Sequence, residues 1–380
     1  MAEKYLLKDV LFNPLKVKKI AVEIKSVYPD FKDKMFEEEV CHKFPELELK
    51  ARIYHIRDML GKYLPQEFES AVNILLRSLP QALDPTKSDD DFGDFIYASY
   101  SEFVTHYGCQ EKYLVFSLEA LRGITKRFSV EFAIRDFINL YPDATLAMLA
   151  SCAVSDNYHE RRLASEGLRP KLPWAKKLTL DYREPLTHLD QLFDDHTRYV
   201  TRSVANHLND IAKIDLSLVI TTLKRWKASG KQEAKEMDFI ISHALRTLVK
   251  QGNEEALAFL GYMKEPAMEV KEFIVHSKSV NVGDALAFSF TLEAREDTQL
   301  IVDYIIHFRT KAGTLSPKVH KLKKISLKKG SSVTIEKKHP FKADMSTRTW
   351  YEGEHKVELQ INGGVYEESI FILGAKNNEF

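Results

Sequence analysis

Up to about residue 267 apolar residues recur at three- and four-residue intervals; beyond it they tend to alternate with polar ones. In QEFESAVNILLRSL, just after Pro65, the residues Phe68, Val72, Leu75, Leu76 and Leu79 fall on one face of a predicted helix. EKYLVFSLEALRGI repeats the pattern with Leu114, Leu118, Leu121 and Ile124. SVEFAIRDFINL is expected to follow as a helix capped by Ser129, with Pro142 beyond its end. YPDATLAMLASCAV, with Asp143 near its start, TRSVANHLNDIAK and DLSLVITTLKRW continue the series. Nothing here reads as a buried strand bounded by turns, so this part is expected to be all-α.

A faint internal repeat runs through it. EFAIRDFINLYPDATLAML and RSVANHLNDIAKIDLSLVI superpose at an offset of 71 residues, with Leu140 on Ile211 and Leu149 on Ile220. That offset is two units of about 36 residues, close to a helical-hairpin repeat. Stacked hairpins bury their apolar faces against neighbours and curl into a solenoid whose concave side can hold an extended ligand. An irregular helical bundle would give a similar pattern.

After GYMKEPAMEV the texture changes. EFIVHSKSV, ALAFSFTLEA, QLIVDYIIHFRT, KVHKLKKISL, SSVTIEKKH, HKVELQING and VYEESIFIL are short, rich in β-branched and aromatic residues, and separated by VGD, KKGSS and NGG. About seven such strands in roughly 110 residues predict an immunoglobulin-like sandwich. The Cys…Trp…Cys pattern of antibody domains is lacking. The expected organisation is therefore multi-domain: a helical domain over 1–267 and a small all-β Ig-like sandwich over 268–380.

Composition narrows the picture. Of 380 residues, 44% are hydrophobic and 29% charged, enough apolar material for a proper core. The N-terminal stretch has no apolar h-region and no run is long enough to span a bilayer, so neither a signal peptide nor a membrane partner is expected. Cys41, Cys109 and Cys152 are far apart and lack CxxC spacing, which points to a reducing cytoplasm. Phosphate-loop, dinucleotide, zinc-protease, hydrolase-elbow and EF-hand motifs are all missing, and the 13 histidines form no ligand-spaced set. No cofactor and no metal are implied.

The net charge of zero conceals two basic stretches. Residues 309–341 carry ten Lys/Arg against Glu336, and residues 161–183 carry seven against Glu166 and Asp181. Local basic clusters on a neutral chain point to a directed anion-binding surface. For KVHKLKKISLKKG the plainer reading, lysines that solubilise exposed strands, is favoured.

The most distinctive stretch is RRLASEGLRPKLPW, residues 161–174. Gly167 and Pro170 end a helix, and Pro173 stiffens the approach to Trp174. A chain so rigidified can hold an indole beside a cluster of cations. The plainer reading is a core tryptophan below a solvated arginine face.

SDNYHERRLASEGLRPKLPW, preceded by RFSVEFAIRDFI and followed by RYVTRSVANHLNDIAK, resembles the AlkC branch of the AlkC/AlkD family of bacterial DNA glycosylases. The likeness covers the whole helical part. It implies an all-α solenoid of HEAT-like repeats around duplex DNA that contains alkylated bases. The activity it implies is excision of 3-methyladenine and 3-methylcytosine in base excision repair. The lesion is expected to stay near the DNA helix, without base flipping, and a C-terminal Ig-like domain is expected to grip the DNA.

By this resemblance Glu131, Glu166 and Trp174 are the expected catalytic residues. A base methylated at N3 of adenine is cationic, so its glycosidic bond is already weak. Carboxylates would stabilise the cationic sugar and position a water, and an indole face favours cationic partners by about 0.5–2 kcal/mol. Arg161, Arg162, Arg169, Lys171, Arg202 and Asn206 are the expected DNA-binding residues. Asn206 falls where the AlkD branch carries a second aromatic residue. Asp156 is a second-rank acid, with a helix N-cap as its alternative, and Glu131 has first-turn helix stabilisation as its own.

No lysine is placed for a Schiff base, so a monofunctional enzyme is expected, with no obligatory protein partner. Two rivals stand beside it: a non-catalytic HEAT-repeat scaffold that binds protein, and a paralogue that binds damaged DNA without cutting it.

Overall fold

The computed structural model describes residues 6–376, apart from 88, 90, 91, 344, 346 and 347. Its contacts divide into two compact units, one ending at Ala244 and the other beginning at Leu245.

The first unit is helical. Its first seven α-helices are α1 (Leu7–Leu11), α2 (Pro14–Val27), α3 (Asp33–Lys43), α4 (Leu49–Tyr63), α5 (Phe68–Ser78), α6 (Ala98–Gly108) and α7 (Leu114–Thr125). Seven more follow: α8 (Ile134–Leu140), α9 (Pro142–Ala153), α10 (Tyr158–Glu166), α11 (Leu186–Leu192), α12 (Arg198–Ala212), α13 (Leu216–Ser229) and α14 (Ala234–Ala244). In α5 the expected stripe is real: Phe68, Val72 and Leu75 are buried, with Ala71 and Ile74 beside them. The 71-residue offset lays the α8–α9 pair onto α12–α13, and α10–α11 is the pair between them. Side-chain equivalence is looser. Leu149 and Ile220 are both buried, but Leu140 is 63% exposed while Ile211 is sealed.

One local expectation fails. Ser129 caps no helix, because α8 begins only at Ile134 and residues 131–133 form a turn. Pro142 does lie beyond α8, which ends at Leu140, and it also opens α9, where its missing N–H costs nothing.

The second unit begins with two short helices, α15 (Arg246–Lys250) and α16 (Glu254–Phe259). Its strands are β1 (Met268–Val275), β2 (Ser279–Val282), β3 (Ala285–Ala294), β4 (Thr298–Arg309), β5 (Leu315–Leu327), β6 (Ser332–Pro340), β7 (Gly353–Ile361) and β8 (Gly364–Lys376). Among the described residues there are eight, because EFIVHSKSV is cut into two strands that join different sheets. One sheet has the order β1-β3-β6 and the other β2-β8-β7-β4-β5. Strict alternation in β3 turns Leu286, Phe288, Phe290 and Leu292 inward. There they share one apolar core with Tyr304, Ile306, Val357 and Leu359 of the other sheet.

The strands begin at Met268, and the boundary between the compact units lies earlier, at Leu245. Polar contacts explain this. Gln360 donates to the Lys250 carbonyl at 3.3 Å and Asn362 to the Met263 carbonyl at 2.6 Å. Gly252 and Gly363, both at positive φ, meet so closely that a Cβ on Gly363 would lie 2.1 Å from the Gly252 Cα.

Candidate active site

The helix α10 is capped by Asn157, whose side chain accepts from the backbone N–H groups of His159 and Glu160. The N-cap alternative for Asp156 therefore fails: Asn157 is the cap, while Asp156 is exposed and its carbonyl accepts from Arg161. The helix closes at Gly167, where a Cβ would come within 2.9 Å of the Ile134 side chain. Only a glycine lets α8 approach so closely.

From Gly167 the chain runs as a strap to Lys177, and one buried side chain holds it. Arg135 of α8 donates to the Lys176 carbonyl at 2.6 Å and to the Gly167 and Arg169 carbonyls at 3.0 Å each. Burial, with Arg169 nearby, pushes its guanidinium pKa down to about 10, which leaves it charged at neutral pH. Asn139 adds a bond to the Lys177 carbonyl at 2.9 Å, and Lys50 donates to the Trp174 carbonyl. Thus the backbone around Trp174 is fixed while its indole is 72% exposed. Trp174 also sits at φ +63°, a left-handed conformation costing a bulky residue about 1–3 kcal/mol. A core-plug role is excluded.

Trp174 and Glu131 line one groove of about 620 Å³, together with Arg162, Phe132, Tyr54 and Glu102. Glu131 lies in the turn before α8, so first-turn stabilisation is not its role. Its Oε2 accepts from the Ser129 hydroxyl and from Arg162, both at 2.7 Å. Among the described residues no hydrogen bond reaches Oε1. One carboxylate oxygen is therefore anchored and the other is available.

Arg162 connects the two expected acids. Its guanidinium lies 2.7 Å from Glu131, 3.8 Å from Glu166 and 4.6 Å from the centre of the Tyr199 ring. Burial works against its charge, but Glu131 and Glu166 more than offset this and hold its pKa above the ordinary range. Glu166 itself is buried, with Oε1 on Arg169 at 2.5 Å and Oε2 on the Ser203 hydroxyl at 2.6 Å. Burial would raise its pKa, yet Arg162 and Arg169 hold it below the usual carboxylate range. Glu166 thus stands behind Arg162, not on the groove surface.

The expected DNA-binding set divides. Lys171 is exposed on the strap and Arg162 lines the groove. Arg169 is buried between Glu166 and Asp210, the latter at 2.9 Å, and Arg161 is buried on Asp195 at 2.5 Å. Both are internal ties, not the surface cations expected, because desolvated guanidiniums are retained only where carboxylates match them. Arg202 is half-buried and pairs with Asp89, and Asn206 accepts from His243 at 2.9 Å. Arg135 escaped sequence reasoning. Its signal was an arginine between the apolar positions Ile134, Phe137 and Ile138 of AIRDFI, all of them buried.

Among the described residues no cluster of three or more His, Cys, Asp or Glu could hold a metal, and no helix is long and apolar enough to cross a membrane.

A helical unit with an arginine-linked pair of glutamates and a displayed tryptophan, followed by an Ig-like unit, defines a two-unit class. Residues 269–375 match the family described as "Uncharacterised protein YhaZ, C-terminal Ig-like domain". The chain is 31% identical over 365 residues to "Uncharacterized protein YhaZ" of Bacillus subtilis (strain 168), covering 95% of this chain and 98% of that one. It also superposes on the alkylpurine DNA glycosylase AlkC of Pseudomonas fluorescens, solved bound to DNA containing an abasic site analog. There the TM-score is 0.85 and the identity 32%, with 98% of this chain and 100% of that one covered. The chain belongs to the AlkC branch of the AlkC/AlkD family.

Proposed function

We propose that the protein is a DNA glycosylase of base excision repair that removes cationic alkylated bases, 3-methyladenine and 3-methylcytosine, from duplex DNA in the cytoplasm. The single observation that carries this reading is Trp174, held by Arg135 in a strained conformation and displayed beside Glu131. Strain maintained by buried hydrogen bonds on an exposed aromatic residue is what a ligand-presenting position requires.

In this reading the helix pairs are HEAT-like repeats and the groove faces the lesion strand. The indole contacts the deoxyribose or the cationic base. The carboxylate of Glu131, through its available oxygen, stabilises the sugar as it becomes cationic and takes a proton from the attacking water. As the C1′–N bond breaks, its electron pair goes to the base, which leaves neutral, while the water oxygen bonds to C1′. The products are a free base and an abasic site, with no strand cleavage. Arg162 holds Glu131 in its orientation. Glu166 adds a second negative charge at longer range and fixes Arg162.

In this reading the lesion is approached without flipping, and the displayed indole meets it at the duplex. Phosphate contacts come from Lys171 in the helical unit. They also come from β5, an edge strand whose Lys318, Lys321, Lys323 and Lys324 are all exposed.

The test is base release from methylated duplex DNA. The protein releases 3-methyladenine and Glu131→Gln does not, while both bind DNA. A chain that binds methylated DNA and releases nothing would favour the damaged-DNA-binding paralogue, and one that ignores DNA at moderate salt would favour the scaffold.

A further inference from the structure

The groove beside Trp174 continues along α6, where Ala98, Ser101, Glu102 and Thr105 recur on one face of the helix. Its charged lining residues are matched almost throughout. Lys176 pairs with Asp136 at 2.6 Å, Arg57 with Asp58 at 2.7 Å and Arg162 with Glu131 at 2.7 Å, while Lys50 donates to a carbonyl. Glu102 differs. Among the described residues no hydrogen bond and no ion pair reaches its carboxyl. It is only half-exposed, and burial, with Asp136 nearby, raises its pKa against the opposing influence of Arg57, Lys176 and Lys50. The charged groups around it are Lys50 and Arg57 of α4, Asp136 of α8 and Lys176 of the strap. Tyr54 and Phe132 supply aromatic surface in the same groove.

A carboxylate partly removed from water with no direct hydrogen bond or ion pair, the cations around it acting only at longer range, is an unfavourable element of a fold unless something completes it. A neutral ligand would strip it of further water and return at most a neutral hydrogen bond. A planar cation would neutralise it and lie against the aromatic walls. We propose that Glu102 is a specificity-determining residue that holds the positive charge of the damaged base, a contact separate from the Glu131–Arg162 pair. The ligand class is a delocalised, planar, cationic heterocycle. This inference rests on the glycosylase reading for its biological meaning, but not for its test.

The full-length protein is titrated calorimetrically with 3,9-dimethyladeninium, a permanent cation shaped like the damaged base with a methyl group in place of the sugar. The neutral comparison is 9-methyladenine. Wild type prefers the cation. Glu102→Gln removes about tenfold or more of that preference, Glu102→Asp retains part of it, and both unfold at the wild-type temperature because no internal bond is broken. The inference is overturned if wild type shows no preference or if Glu102→Gln keeps all of it. Base release is measured in parallel. Release by wild type together with an unaltered Glu102→Gln sinks this inference alone. A Glu102-dependent preference in a protein that releases nothing sinks the glycosylase reading alone.

Discussion

The Arg135 guanidinium lies 2.6 Å from the Lys176 carbonyl, and the same side chain reaches the carbonyl of Gly167 at the other end of the strap. One residue on α8 thereby closes the loop that carries Trp174.

Replacing Arg135 by Met leaves three carbonyls without their donor, two of them at buried bonds worth about 1–3 kcal/mol each but not additive. A loss of about 2–4 kcal/mol is expected, seen as a lower midpoint in thermal unfolding. Base release should fall further than DNA affinity, because the indole loses its fixed position. Equal losses in both would argue that Arg135 supports the fold and nothing more.

Trp174 provides a second check, since its φ of +63° suits glycine far better than alanine. Trp174→Gly should therefore be more stable than Trp174→Ala by about 1 kcal/mol. In an ordinary loop the order would be reversed. Both variants should lose most base release, as both remove the indole.

The two glutamates should separate by phenotype. Glu131→Gln keeps the fold, since Ser129 and Arg162 can still donate to its amide oxygen, but lowers release by about a hundredfold or more. Glu166→Gln leaves Arg162 and Arg169 with one buried negative charge fewer and should cost about 3 kcal/mol in stability. Chemical denaturation with matched base-release assays distinguishes them. A fully stable Glu166→Gln would show that its ion pairs contribute little to the fold.

Acid should weaken the Ig-like unit. His339, buried against Tyr304 and His320, has its pKa lowered to about 4 by burial and by the neighbouring His320, and His320 is lowered to about 4 by burial and Lys318. A depressed folded-state pKa means that the unfolded chain takes up the proton first. The stabilisation is thus complete above about pH 6.5 and is lost as the pH falls toward 4. Thermal unfolding between these pH values should show the loss, and His339→Asn should flatten it. A pH-independent midpoint across this window would contradict the assignment.

In the proposed reading, converting Lys321, Lys323 and Lys324 of β5 to Glu should flatten the salt dependence of DNA binding by up to about 0.9 per lost phosphate contact. An unchanged slope would return these lysines to the role of keeping an exposed sheet edge soluble.

Local periodicity sufficed to read the helical and β units, because amphipathic spacing is a property of neighbouring residues. RRLASEGLRPKLPW sufficed to mark the strap, since Gly167, Pro170 and Pro173 act on their own backbone. It did not reveal which arginines face solvent. Arg161, Arg162 and Arg169 are alike in sequence, and only packing separates the two buried on Asp195 and Asp210 from the one that lines the groove. The same holds for Glu131 and Glu166, and for Arg135, whose three acceptors lie 32 to 41 residues away. Burial and long-range ion pairing depend on partners distant along the chain, so the tertiary structure alone decided which charges became scaffold and which remained available for chemistry.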